Sequence, residues 1–219
     1  MGLRWFSKAE AITKIAGVSA GGNIELSAIE AAPAGLGLRL AWAADADSSS
    51  TTGDKTAGGA SGAKGAGWDA TVEVTDELHG VDGLTVYAGI SQVDQYQNDA
   101  TISGDSEETV IGVKYAMGNF SFGYQQSDDD TGIAAATNYD NTSYSVTFNV
   151  NDDLSIGYNH IESDKQGDSD TAEADSLQLA YTMGGASFRI ASIKAENAYW
   201  GTTAGDDRKA TVVSLGLAF

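Results

Sequence analysis

The chain has 219 residues, 31 Asp and Glu against 12 Lys and Arg, a formal net charge of -19, 27 Gly, one Pro and no Cys. This acidic excess argues against nucleic-acid binding, which relies on Lys and Arg neutralising phosphates, and leaves inorganic or organic cations as the easier partners. The lack of cysteine excludes disulfides, thiolate metal sites and a thiol nucleophile, and no apolar run reaches the ~18 residues that mark a transmembrane helix.

In chain order, residues 1–21 have mixed periodicity, with Trp5, Lys8, Glu10, Ile12, Lys14 and Ile15 on no consistent face. They read as a short helical segment. They contain no apolar core of a secretory signal, and Phe6 stands where a myristoylation motif needs Ser or Thr. From residue 22 to residue 219 the pattern changes to alternation with period two, the mark of strands whose faces meet different surroundings. Strands are expected over 24–30, 36–43, 68–76, 84–92, 107–117, 119–126, 141–150, 153–162, 174–183, 185–194 and 208–219.

The apolar positions of these segments form runs such as Leu36, Leu38, Leu40, Trp42; Leu84, Val86, Ala88, Ile90; Tyr144, Val146, Phe148; and Leu177, Leu179, Tyr181, Met183. The intervening positions carry Gly, Ser, Thr, Ala and Asn with isolated charges. A water-facing surface would carry roughly 25–35% charged residues, whereas the charge here concentrates between the strands. Short connections ("MGN", "NDD", "MGG") alternate with long ones rich in Asp, Ser, Thr and Gly, over 44–67, 93–106, 127–140, 163–173 and 195–207. The pattern is that of an all-β, antiparallel, up-and-down transmembrane barrel with tight turns at one end and long loops at the other.

A lipid-facing basic residue costs on the order of 2–4 kcal/mol at mid-bilayer. Arg39, Lys114 and Arg189 are therefore expected to line the pore, with Glu25, Glu73, Asn159 and Gln178. Trp42, Trp68, Tyr115, Phe120, Tyr158 and Tyr181 are expected as aromatic girdles near the strand ends. Acidic clusters at Asp45, Asp47 and Asp54, at Asp128, Asp129 and Asp130, and at Asp168 and Asp170 offer hard oxygen ligands for calcium or magnesium. They match no EF-hand loop, and solvated loop charge explains them as well. His79 and His160, the two histidines, have no nucleophile nearby in sequence, so no enzyme is expected.

The last strand ending in Phe219, turns such as "MGNFSFGY" and "VNDDLSIGY", and the acidic Gly-rich loops resemble the general porins of Gram-negative bacteria, particularly the alphaproteobacterial (Rhodobacter-type) ones. That resemblance covers about residues 22–219. It implies a trimeric, sixteen-stranded outer-membrane diffusion channel for small polar solutes and ions, set in lipid and lipopolysaccharide, without a cofactor. It also implies an insertion signal at Leu215, Leu217 and Phe219. Single-chain bacterial barrels have even strand numbers, so eleven strands suggest a porin lacking its first five; the resemblance then implies that residues 1–21 belong to the inward-folded constriction loop. A twelve-stranded barrel, with residues 3–13 as an extra strand, is the alternative. A soluble or surface-displayed acidic β-protein, such as a calcium-stabilised adhesin, and a plugged adhesion barrel are the competing functions.

Overall fold

The computed structural model describes residues 24–27, 33–43, 64–95, 103–134, 138–201 and 207–217. The expected segment 1–21, Phe219 and the cluster at Asp45, Asp47 and Asp54 lie outside them. Among the described residues eleven strands occur: β1 (Ile24–Ser27), β2 (Leu36–Ala43), β3 (Lys64–Thr75), β4 (Leu84–Gln95), β5 (Ser106–Met117), β6 (Phe120–Asp130), β7 (Tyr139–Asn149), β8 (Leu154–Lys165), β9 (Ala172–Met183), β10 (Ala186–Glu196) and β11 (Arg208–Leu217). They form one sheet in which each strand neighbours the next in sequence. A single helical turn, α1 (Asp76–His79), and a 3-10 turn (Ala198–Trp200) interrupt the connections. His79 closes α1.

Several strands outrun their expected bounds. β6 continues through Asp130, so Asp128–Asp130 are strand residues rather than loop, and β8 continues through Lys165. The reason is that backbone pairing continues where both faces are polar, and there alternation of hydrophobicity gives no signal.

The chain divides into two compact units: residues 1–80, 86–111 and 127–138, and residues 81–85, 112–126 and 139–219. In the first, β2 and β3 set Leu36 opposite Val74, Leu38 opposite Val72, Leu40 opposite Ala70 and Trp42 opposite Trp68 on one face, with Arg39 opposite Thr71 on the other. β1 adds Ser27 opposite Arg39. A polar brace ties the far ends of β4 to β6: Trp68 Nε1 donates to Gln92 Oε1 (3.2 Å), Gln92 Nε2 to Asp105 Oδ2 (3.1 Å), and Gln95 Nε2 to the Thr131 carbonyl (2.6 Å). Tyr87 and Val93 are 6% and 3% exposed. They lie on the face of β4 opposite Val86 and Ile90, a buried apolar pair that the expected apolar row of β4 did not include.

In the second unit β7 to β11 form a continuous ladder. Paired residues across it share a face, so the register lays out whole rows. One row runs Phe148, Ile156, Leu179, Ile190, Val213, and its neighbour runs Leu154, Tyr181, Phe188, Leu215. The opposite face carries Thr147, Gly157, Gln178 and Ala191 in one row, and Ser155, Ala180, Arg189 and Ser214 in another. Tight turns join these strands. In "NDD", Asn151 Oδ1 accepts from the backbone N–H of Asp153 (2.9 Å) and of Leu154 (2.8 Å), a side-chain substitute for turn hydrogen bonds.

Candidate functional site

The functional element of this chain is a surface, and its two sides differ chemically. Large apolar side chains of β7 to β11 stand exposed on one side: Leu177 is 58% exposed, Leu215 64% and Ile190 36%. Phe120, Phe122, Tyr144, Ile156, Tyr181 and Phe188 are exposed as well. Phe120 packs against Phe148 with ring centroids 4.6 Å apart, so the aromatic row joins across strands. Among the described residues the buried hydrophobic side chains are Tyr87 and Val93. Most of the apolar surface thus has no protein core to enter, and in water it would be an aggregation-prone patch far larger than soluble monomers expose.

The apolar band has an edge. Moving toward the long connections, the row after Tyr158 and Leu177 reads Tyr144, His160, Asp175, Lys194, Lys209, and the next reads Glu162, Glu173, Glu196. From Leu177 to Met183 the band spans about 20 Å of strand at the ~3.4 Å rise per residue of antiparallel sheet. Tyr144 and Tyr158 mark its edge near the long connections, Tyr181 and Phe188 its edge near the short turns. Trp42 and Trp68 sit opposite one another at the long-connection end of β2 and β3.

His160 occupies that edge. Its Nδ1 lies 2.8 Å from Asp175 Oδ1, its Nε2 lies 2.9 Å from Glu162 Oε1, and its ring stacks on Tyr144 at 4.8 Å. The Tyr158 hydroxyl donates to the same Asp175 oxygen at 2.5 Å. The structure holds it 7% exposed, with both ring nitrogens engaged by carboxylates. Its partner on β9 follows from register, which a lone histidine in a sequence does not reveal.

The opposite side is small and polar. Arg189, Gln178 and Asn159 share it with Ser145, Thr147 and Ser176, and Arg39 and Glu73 lie on the corresponding face of β2 and β3. Lys114 alternates with Ile111, Val113 and Tyr115 along β5. Glu25 pairs with Ala41 through the backbone. Three of the acidic candidates have partners: Lys165 Nζ bonds Asp168 Oδ2 (2.6 Å), Ser169 Oγ donates to Asp170 Oδ2 (3.4 Å), and Asp130 Oδ1 accepts from the Gly132 N–H (2.9 Å). Among the described residues no group of three His, Cys, Asp or Glu is arranged to hold a metal ion. Near the short turns, an open recess of about 440 Å³ is lined mainly by polar side chains, among them Asn119, Asn149, Asn151, Asp152, Asp153 and Ser155.

The sheet also superposes on solved structures. An anion-selective porin from Comamonas acidovorans superposes with a TM-score of 0.65 at 14% identity, covering 90% of this chain and 59% of that one. This chain has the porin fold. Salmonella typhi OmpF, solved in complex with daunomycin, matches with a TM-score of 0.61 at 14% identity over 83% of this chain and 56% of its own. A further porin structure matches at 0.62 and 14% identity, covering 90% and 60%. The chain therefore spans a little under two thirds of the porins it resembles. No protein-family model and no curated protein matches the sequence.

Proposed function

We propose that the protein is a non-enzymatic outer-membrane porin, a water-filled channel for passive diffusion of small polar solutes and ions. The observation that carries this reading is the distribution of apolar surface: large side chains stand exposed in one band on one side of the sheet, opposite a face of small and polar residues. Lipid satisfies that band without a core, which a soluble adhesin would need. The porin fold agrees with it. The trimeric, sixteen-stranded form, the contact with lipopolysaccharide, the insertion role of Leu215, Leu217 and Phe219, and the Rhodobacter-type affinity follow from the family resemblance.

In this reading Arg39, Lys114, Arg189 and Glu73, with Glu25, Asn159 and Gln178, wet the channel wall. The charges named on the wall nearly cancel, whereas the acidic excess behind the net charge of -19 concentrates in the long connections, where its negative field gathers counter-ions at the channel mouth. The Comamonas porin is anion-selective by its title; this one is expected to prefer cations. Protein extracted by detergent from outer membranes and recorded across a planar bilayer under a KCl gradient tests both points. Discrete conductance steps are expected, with a reversal potential on the potassium side that shrinks as salt rises and the Debye length falls. A silent bilayer contradicts the pore, and a chloride-side reversal contradicts the cation preference.

A further inference from the structure

Residues 197–201, which follow β10, turn back over the sheet. Asn197, Tyr199 and Trp200 have φ of 49°, 67° and 55°. Side-chain-bearing residues seldom take this left-handed conformation, and a cluster of them persists only where surrounding contacts over-determine it. Those contacts are present. Asn197 Nδ2 donates to the Thr171 carbonyl (3.1 Å), and its backbone N–H donates to Asp207 Oδ1 (3.3 Å). The Trp200 indole N–H donates to the Ser163 carbonyl at 2.7 Å. Its ring lies 5.0 Å from that of Tyr139, and Lys165 Nζ stands 5.5 Å over it.

From the end of β10, the segment therefore reaches across β9 to β8 and β7. The side it rests on is decided by register. Tyr139 pairs with Lys165, and two-residue alternation puts that pair on the same face as Asn141 with Ser163 and Ser145 with Asn159. That is the polar face, opposite Tyr144, Val146 and Phe148. The indole lies against this face at its long-connection end.

We infer that residues 197–201 form a strap over the channel entrance, with Trp200 as a residue that limits solute size. The inference rests on the porin reading, because only there is the polar face the wall of a water path. An indole laid on that wall removes cross-section from the path. The ring also covers Lys165, whose ammonium is bonded to Asp168, so this cation stays at the rim. Tyr199, 75% exposed with Arg208 Cζ 5.5 Å over its ring, presents a second aromatic from the same turn. The strap's effect should fall on the size of admitted solutes more than on their charge.

The absence of cysteine makes the test direct, since Trp200→Cys introduces a unique thiol. Channels of the protein extracted from outer membranes are compared in planar bilayers containing neutral polyethylene glycols of graded size. Trp200→Cys is expected to raise conductance and shift the exclusion limit to larger polymers. A bulky methanethiosulfonate added in place should then reverse both shifts, while Trp200→Phe, which keeps a ring, stays near the unaltered protein. Tyr139→Ala, which removes the ring under Trp200, should shift both quantities in the same direction and decides the matter if Trp200→Cys does not assemble. Unaltered channels together with unchanged conductance and exclusion limit in the variants overturn the strap. An absence of channels from the unaltered protein overturns the porin reading, and the strap with it.

Discussion

Replacing Ile190 with arginine is expected to lower stability in a lipid bilayer by about 2–4 kcal/mol, while Gln178→Arg changes it little. Ile190 stands in the row between Leu179 and Val213, within the apolar band, and a guanidinium there would lie in hydrocarbon. Gln178 is on the other face, in register with Ala191 and Gly157, where water reaches the added charge. The native sequence already shows this asymmetry in adjacent residues, since Arg189 and Ile190 point to opposite sides. Urea titration of protein refolded into phosphatidylcholine vesicles reads the difference. Were the band merely a wetted surface, arginine at a position 36% exposed would be nearly silent. Equal effects at the two positions would therefore contradict the assignment of faces.

The second large effect is expected at Gly83, where Gly83→Ala should destabilise by about 3 kcal/mol, summed from left-handed strain, a lost hydrogen bond and a backbone collision. Gly83 has φ +73°, and an added Cβ would lie 2.1 Å from the Ala116 carbonyl oxygen. That atom is backbone, so no side-chain rotation relieves the overlap. Moving the turn away would break the hydrogen bond from the Ala116 N–H to the Gly83 carbonyl (2.9 Å), which ties the turn to β5. Gly80 provides the contrast: it has φ +77° and nothing within 4 Å of an added Cβ. Gly80→Ala should thus show only the left-handed penalty, about 1 kcal/mol. The same urea titration compares them, and similar losses at both would mean that the close approach to Ala116 is absent.

The sequence conveyed the fold where the two faces meet different media. β2 was delimited correctly because Leu36, Leu38, Leu40 and Trp42 alternate with Gly37, Arg39 and Ala41 throughout its length. Legibility failed where that contrast disappears. β6 runs on through Ser127–Asp130 and β10 through Ala195 and Glu196; there the band has ended and propensity alone disfavours strand. In β4, Leu84, Val86 and Ile90 gave one apolar row, while Tyr87 and Val93 on the other face looked incidental and proved buried. His160 and Trp200 show a different limit. Their partners, Asp175 for one and Tyr139, Ser163 and Lys165 for the other, lie 15 to 61 positions away in a chain whose register is set by pairing, which no local spacing reports.

The account depends most on which side of the sheet meets lipid, and a spin-label scan along β10 measures that directly. With no native cysteine, single substitutions from Ala186 to Ala191 can each carry one nitroxide in the membrane-reconstituted protein. Collisions with oxygen, which partitions into lipid, should peak at 186, 188 and 190, and collisions with a water-soluble nickel chelate at 187, 189 and 191. An oscillation of period two in opposite phase for the two reagents is the predicted result. Nickel access at Phe188 and Ile190 equal to that at Arg189, or oxygen access low at all six positions, would mean that the apolar band faces something other than lipid and would contradict the porin reading.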